Sequence, residues 1–200
     1  MDVSTVSMVC ALLGLCHEFL GENQAALRSY DQALALTPNN DALLVARGIL
    51  WYGESPRAID DFVLAIDQET RLVWPYYFLA HHYVATGQYE RSRVFCERGL
   101  EKGGADSIQS ELAEWLAISQ SELGYPSDLV LGSFDRAVRL DPSNERVRRN
   151  LGVYKAAKGP VRSDNYEART RAAVRASALS ERRLSSGSAD LREALVRSAA

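Results

Sequence analysis

A glycine that returns about every 34 residues constrains the fold of this chain more than any other feature. Steps of 32, 34, 37 and 35 residues separate five glycines: Gly21, Gly53, Gly87, Gly124 and Gly159. Regular spacing of this length indicates a repeated supersecondary unit, because each unit needs the same turn at the same place. A chain of this kind grows by stacking similar units, and each unit packs against its neighbours.

Two further positions recur in step with these glycines. Nine or ten residues after each of the first four comes a residue suited to the wedge between helices: Tyr30, Phe62, Cys96 and Phe134. Three residues later comes a small residue: Ala33, Ala65, Gly99 and Ala137. Because three registers advance together, the sequence predicts a series of helical hairpins.

The first unit shows what each position does physically. Gly14 and Ala26 are small, so the two helices of the hairpin are able to cross closely. Tyr30 fills the wedge beside that crossing. Gly21 gives the turn a residue that accepts positive φ, and Pro38 ends the second helix. The unit therefore reads as helix, tight turn and helix.

The order Leu13-Gly14, Gly21, Ala26, Tyr30, Ala33 and Pro38 resembles the tetratricopeptide repeat (TPR), whose period is about 34 residues. The resemblance implies an all-α fold, a right-handed superhelical solenoid of antiparallel helix pairs. We expect a TPR-like array over residues 4–160, with four hairpins and the first helix of a fifth. Residues 161–200, rich in Ala, Arg and Ser, are expected to form a helical cap or a partly disordered tail.

Two of the expected repeats depart from the pattern. In repeat 2 the turn is two residues short, so its first helix aligns either on Gly48 or on Ala46. In repeat 3 the small residues Cys96 and Gly99 replace an aromatic residue and an alanine. A glycine inside a helix costs about 1 kcal/mol relative to alanine. We therefore expect repeat 3 to be the loosest hairpin.

The resemblance also implies where a partner binds. In this family the first helices of the hairpins line a concave groove that holds a peptide segment. Residues flanking the Leu-Gly pair face that groove, which gives these predicted partner-binding residues: Leu15, Phe19, Trp51, Tyr52, Trp74, Tyr77, His81, Glu114 and Ile118. For Tyr77 and His81, packing between repeats is the less favoured alternative, and for the two tryptophans it is an equal one.

One subclass of the family does not fit. Its chaperone adaptors hold a C-terminal carboxylate with a clamp of Lys, Asn and Arg on the groove faces. The matching faces here carry Leu15, Tyr77 and His81 among other uncharged residues. Burying a carboxylate without a cationic partner is costly, so we do not expect the carboxylate-clamp function.

No catalytic or metal-binding pattern stands out. His17-Glu18 resembles the start of a zinc-binding H-E-x-x-H motif, but Gly21 occupies the place of its second histidine. His81 and His82 are adjacent, so on a helix they point to different faces. We expect no enzymatic activity, no metal and no cofactor.

The charge is uneven along the chain. The formal net charge is −3; residues 1–160 carry 15 Lys+Arg against 21 Asp+Glu, and residues 161–200 carry 8 against 5. The Arg-rich stretch 162–183 contains Glu167 and Glu181 and has no aromatic residue after Tyr166. This mixture is typical of a solvated helix face, so we expect no nucleic-acid partner.

The cysteines and the apolar segments bear on location. Cys10, Cys16 and Cys96 are odd in number and form no C-x-x-C pair, which favours reduced thiols and a cytoplasmic protein. The apolar run from Met8 to Leu15 follows no Lys or Arg, as a signal peptide would require. It is also shorter than the ~18 residues of a membrane span. We expect neither a signal peptide nor a membrane contact.

These observations predict a non-catalytic scaffold that binds a protein or peptide segment in its concave groove. An alternative is a regulatory or sensing TPR segment attached to, or associated with, an enzyme such as a bacterial serine/threonine protein kinase. The sequence names neither the partner nor its motif.

The N-terminal helix carries a separate prediction. From Val3 to Leu15 the chain has no charged residue, and a helix that is apolar all round is normally buried all round. We expect Leu13 and Gly14 to face their own hairpin, which leaves Val9 and Leu12 uncovered. The sequence therefore predicts a homo-oligomer formed through this helix. A preceding helix of a longer array, or the C-terminal segment folded back, would cover the same strip.

Overall fold

The computed structural model describes residues 2–157, and this part of the chain consists of nine α-helices with no strand. In chain order they are α1 (Val3–Leu20), α2 (Asn23–Leu36), α3 (Asp41–Trp51), α4 (Arg57–Asp67), α5 (Trp74–Ala85), α6 (Tyr89–Lys102), α7 (Asp106–Glu122), α8 (Ser127–Leu140) and α9 (Glu145–Ala157). The predicted all-α class is confirmed. The predicted boundary near residue 160, the segment 161–200 and Gly159 lie outside the described residues.

The helices belong to two compact units. The first comprises residues 2–75, with α1 to α4 and the first residues of α5; the second comprises residues 76–157. In the first unit α1 packs on α2, α2 on α3 and α3 on α4; in the second α6 packs on α7, α7 on α8 and α8 on α9. Helices α5 and α6 also pair, because the rings of Tyr83 and Phe95 stack with centroids 5.5 Å apart.

Glycine makes the turns within the hairpins. In the described part, the four recurring turn glycines have φ between +70° and +83°: Gly21, Gly53, Gly87 and Gly124. L side chains rarely adopt this left-handed backbone. At Gly21 the turn also satisfies the end of α1, since its N–H donates to the carbonyl of Glu18 at 3.0 Å. The recurring glycine is therefore a backbone requirement of each turn.

The close crossing predicted for the first hairpin recurs in the second. A Cβ added at Gly14 would lie 2.5 Å from Cε1 of Tyr30, and one at Gly48 would lie 2.7 Å from Cε1 of Phe62. Gly48 thus plays the part of Gly14, so the first helix of repeat 2 aligns on Gly48 and not on Ala46. The two missing residues of this repeat lie between the crossing glycine and the aromatic wedge.

The third hairpin, expected to be the loosest, is closely packed at Gly99. Cys96 is fully buried. A Cβ at Gly99 would approach Leu112 Cδ1 to 2.9 Å and Tyr76 Cβ to 3.2 Å, both closer than carbon atoms normally pack. At Gly99 there is therefore no room for a methyl group, because neighbouring side chains of α5 and α7 fill the space.

An ionic contact joins three helices of the first unit. With the alignment on Gly48, Arg47 takes the place that Leu13 has in the first repeat. Its Nη1 donates to Asp31 on α2 at 2.8 Å, and its Nε and Nη2 donate to the two carboxylate oxygens of Asp61 on α4 at 3.0 and 2.7 Å. Burial raises the pKa of Asp61, although Arg47 opposes that shift. We call this contact the Arg47 clip.

Asparagine caps begin two of the first helices. The Oδ1 of Asn40 accepts the N–H of Leu43 at 3.1 Å, and the Oδ1 of Asn144 accepts the N–H of Val147 at 3.3 Å. Each satisfies a backbone donor that a helix start otherwise leaves open. The sequence similarity between residues 37–40 and residues 141–144 thus reflects a shared way of starting a helix.

Helix α1 corrects one prediction about its own packing. Its buried side is formed by Ser7, Ala11, Gly14, Leu15 and Glu18. Leu13 was expected to face its own hairpin, but it is 50% exposed, while the corresponding Leu79 and Leu116 of later repeats are buried. Leu13 therefore joins Val9 and Leu12 on the uncovered side of α1.

The expectation that no segment reaches the length of a membrane span is also wrong. Helix α1 has 18 residues and is apolar enough to cross a bilayer by length and composition. Core helices of soluble proteins and N-terminal signal sequences meet the same criterion. Length and composition alone therefore do not assign α1 to a membrane.

Candidate partner-binding site

The predicted groove residues of the first unit differ in accessibility. Phe19 is 44% exposed, and Trp51 is partly exposed. Leu15, Tyr52 and Trp74 are buried. Tyr52 contacts the wedge residue of its own hairpin, with its ring centroid 6.2 Å from that of Phe62. Its predicted position in the groove wall is therefore corrected to one inside the second hairpin.

In the second unit, the predicted aromatic residues lie against a tryptophan of the next first helix. Tyr77 and His81 on α5 have ring centroids 4.9 and 5.2 Å from that of Trp115 on α7. All three side chains are buried, as is Ile118 on α7. The prediction that Tyr77 and His81 offer surface to a partner needs correction, because aromatic packing between α5 and α7 takes up their rings.

A polar network continues from Tyr77 across α7 to α9. The hydroxyl of Tyr77 donates a short hydrogen bond to Oε2 of Glu111. The other oxygen of Glu111 accepts from Nη2 of Arg146 on α9 at 2.8 Å. Glu111 therefore connects the first helices of three successive repeats.

Glu114 lies one turn further along α7 and is fully buried. Its Oε2 accepts from Nε of Arg146 at 3.0 Å, and its Oε1 accepts from Nδ2 of Asn150 at 2.7 Å. Below this network, Val147 packs in an apolar cluster with Ala113 and Ala137. Helix α9 is thus held by polar contacts on one side and by apolar packing on another.

The electrostatics of this network are unbalanced. Two carboxylates, Glu111 and Glu114, share one guanidinium, that of Arg146. Burial raises the pKa of Glu114, and the contacts with Arg146 and Asn150 oppose that shift without cancelling it. Side-chain exposure is 19% for Glu111 and 30% for Arg146, against 0% for Glu114. The network therefore has a buried carboxylate inside and an accessible acid–base pair outside.

Of the predicted groove residues, the structure joins Tyr77 and His81 through Trp115, and it joins Tyr77 to Glu114 through Glu111 and Arg146. The sequence-based set missed Trp115, Arg146 and Asn150. One signal was available for Arg146: aligning Leu116-Ala117 with Leu151-Gly152 places Glu111 and Arg146 at the same repeat position. Opposite charges at one position of successive repeats are a natural pair, because stacking brings equivalent positions side by side.

No three His, Cys, Asp or Glu side chains within residues 2–157 lie close enough together to hold a metal ion. The arrangement between α5, α7 and α9 instead places a partly exposed ion pair beside the packed rings of Tyr77 and Trp115. Glu111 offers hydrogen-bond acceptors and Arg146 offers donors, side by side and above a rigid aromatic base.

Comparisons with known proteins agree with this architecture. A family model described as tetratricopeptide repeat matches residues 7–40. Among solved structures, YrrB, described as a TPR protein with an unusual peptide-binding site, is 21% identical with a TM-score of 0.64; the match covers 74% of this chain and 76% of YrrB. The MamA protein is 17% identical with a TM-score of 0.65, and the match covers 76% of this chain and 83% of MamA.

The search of the curated proteins finds no match. The structural likenesses show the fold, a TPR-like solenoid of helix pairs, and the family model matches the first hairpin. The chain is similar to tetratricopeptide-repeat proteins in fold, and in sequence over residues 7–40.

Proposed function

We propose that this protein is a non-catalytic scaffold that binds a peptide segment of a partner across α5, α7 and α9 of its second unit. The observation that carries the proposal is the pairing of Glu111 with Arg146 at the accessible edge of a buried network. A peptide backbone presents N–H donors and C=O acceptors in alternation. An adjacent carboxylate and guanidinium suit both kinds of group, since charge-assisted hydrogen bonds are among the stronger ones.

The buried members of the network hold that pair in place. Tyr77 fixes one oxygen of Glu111, and Glu114 with Asn150 fixes the position of α9. Tyr77, His81 and Glu114 thus act as positioning residues in this proposal, where the sequence suggested direct contacts. A preorganised site loses less conformational entropy when a partner binds.

The peptide class of the partner is supported by the fold and by the peptide-binding site described for YrrB. The proposal does not include a C-terminal carboxylate clamp, because Leu15, Tyr77 and His81 stand where that clamp needs polar or cationic residues. It also includes no nucleic-acid partner, no membrane and no catalytic activity. The three cysteines carry free thiols, which fits a reducing compartment, so the proposed location is the cytoplasm.

Affinity capture with defined variants tests the proposal. The full chain is immobilised, bound proteins are identified by mass spectrometry, and capture is repeated with Glu111→Gln and Arg146→Gln. The matched controls are Asp135→Asn and Arg136→Gln, which make the same charge changes at exposed positions of α8. We expect the two network variants to reduce capture of the same partner at least tenfold and the controls to retain it.

The two network variants differ in what else they disturb. Arg146→Gln leaves the buried Glu114 without its cation, whereas Glu111→Gln keeps the contact between Arg146 and Glu114, so Glu111→Gln is the more specific test. Circular dichroism must show equal helicity in all variants. A partner that binds Glu111→Gln and Arg146→Gln as well as the wild type would place the binding site elsewhere and refute the proposal.

A further inference from the structure

Helix α1 carries a continuous apolar stripe on the side opposite its buried face. Its members recur at intervals of three and four residues, so they fall on one side of a helix. We define the α1 stripe by these residues: Val9, Leu12, Leu13, Cys16 and Leu20. The four hydrophobic residues are between 42% and 72% exposed, and Cys16 is exposed as well.

The opposite face of α1 is fixed on α2. The hydroxyl of Ser7 donates to the carbonyl of Ala33 at 3.1 Å, and the buried carboxylate of Glu18 accepts from the hydroxyl of Tyr30 at 3.0 Å. Turning the stripe inward would break both contacts. A span across a bilayer would take Glu18 and Ser7 away from these partners into hydrocarbon, where such groups are costly. Whatever covers the stripe must therefore lie along α1 from outside.

We infer that the α1 stripe is a homotypic interface, through which two copies of this chain pair. Between Val3 and Leu15 no charged residue opposes the approach of an identical helix. A two-fold pairing brings one surface against itself, so an uncharged apolar stripe is complementary to its own copy. The intervals of three and four residues are those by which two helices interlock their side chains.

The apolar area that the α1 stripe exposes limits how stable the dimer is. Full burial of one Val or Leu side chain corresponds to roughly 60–120 Å² of apolar surface, as implied by the usual free energy per unit area. At the exposures given above, the five side chains offer on the order of 150–300 Å² per copy. The pair would bury about 300–600 Å², less than the ~1,200 Å² typical of stable complexes. The dimer is therefore weak, and its population depends on protein concentration.

A disulfide between the two Cys16 residues would detect this interface in both a parallel and an antiparallel pair of helices. In a parallel pair in register, the two Cys16 residues face each other directly. In an antiparallel pair centred on the stripe, they are offset by about 4–5 Å along the axis, given a rise of 1.5 Å per residue. Either arrangement brings the two Cα atoms near the separation that a disulfide spans, about 4.4–6.8 Å. Cys96 is buried and does not compete.

The test combines mass measurement with cross-linking on the full chain. Light scattering coupled to size exclusion should show a mass that rises from 22.1 kDa towards twice that value as the protein concentration is raised, because an interface below the ~1,200 Å² of stable complexes gives a weak pair. Mild oxidation should trap a covalent dimer, which Cys16→Ser abolishes and Cys10→Ser retains. Leu13→Glu should abolish association, and Leu129→Glu should not, although Leu13 and Leu129 are equally exposed at 50%.

Three results would overturn the inference. They are a monomer at every concentration, association that Leu13→Glu leaves unchanged, and cross-linking that survives Cys16→Ser. Sedimentation with phosphatidylcholine vesicles adds a further arm. Binding to vesicles that requires the stripe, without any dimer in solution, would assign the α1 stripe to a lipid surface and refute the pairing.

Discussion

Replacing Gly14 by alanine tests whether the crossing of α1 and α2 is as tight as the structure shows. The new Cβ would lie 2.5 Å from Cε1 and 2.6 Å from Cδ1 of Tyr30, about 1 Å inside the usual contact distance between carbon atoms. Tyr30 is fully buried and its hydroxyl is bonded to Glu18. The ring therefore has no free direction in which to move, and the helices must separate.

The magnitude follows from two opposing terms. Alanine favours a helix over glycine by about 1 kcal/mol, while overpacking a core costs typically 1–3 kcal/mol. Gly14→Ala should therefore lower the free energy of unfolding by up to about 2 kcal/mol. Gly132→Ala is the matched control. It too is a helical position, in α8, but its Cβ would meet nothing within 4 Å, so it should stabilise the chain by about 1 kcal/mol.

The assay is thermal unfolding followed by far-UV circular dichroism. For a chain of this size, 1 kcal/mol shifts Tm by about 2–4 °C, so the two variants should move Tm in opposite directions. The helix-propensity terms cancel between them, and the difference in Tm reports the crowding at Gly14 alone. In a Tyr30→Ala background, Gly14→Ala should lose its penalty because the methyl group enters the vacated space. A rise in Tm for Gly14→Ala that matches Gly132→Ala would refute the close crossing.

Three further substitutions test other parts of the structure. Cys96→Phe should lower the free energy of unfolding by about 1–3 kcal/mol, because Cys96 is fully buried and a larger side chain would overpack the core; a higher Tm would instead reveal free volume beside Cys96. Arg47→Ala should cost about 3–5 kcal/mol in chemical denaturation, since it strands the buried Asp61, while Arg57→Ala at an exposed position of α4 should change less than about 0.5 kcal/mol. Because the pKa of Glu114 is raised from 4.5, folded chains bind its proton more tightly than unfolded ones. As pH falls from 7 towards 4.5, the free energy of unfolding of the wild type should therefore rise relative to that of Glu114→Gln. If the two proteins show the same dependence of stability on pH, the raised pKa of Glu114 is contradicted.

The sequence predicted the hairpins well because backbone demands recur at fixed places. A left-handed turn needs glycine, and a close helix crossing needs a small residue opposite an aromatic one, so both leave marks that a period reveals. The alignment of repeat 2 stayed ambiguous because the shortened turn changes the spacing between the small crossing residue of the first helix and the aromatic residue of the second. Only the contact between Gly48 and Phe62 identifies which small residue makes the crossing.

The candidate site was less predictable because accessibility depends on neighbours. Tyr77 and His81 have the spacing of groove residues, yet the indole of Trp115 lies against them. The pattern reports which side of a helix a residue occupies, but it does not report how closely the next helix approaches. Arg146, the partner of Glu111, was missed because its charge alone looks like that of an ordinary surface residue.

The third hairpin shows the same limit for packing. Cys96 and Gly99 suggested a void, since both are smaller than the residues they replace. The structure fills that volume from elsewhere, with Leu112 and Tyr76 close to Gly99. A small residue at one position is compensated by the side chains packed against it, so small residues in the sequence do not by themselves indicate a cavity.

The Arg47 clip also affects how the first unit comes apart. In a repeat array, the coupling at each junction sets how far a local opening spreads. At this junction one side chain, that of Arg47, bonds both the second helix of the first hairpin and the second helix of the next. Opening α4 therefore withdraws Asp61 and at the same time loosens the hold on α2. The first two hairpins should accordingly open as one cooperative block.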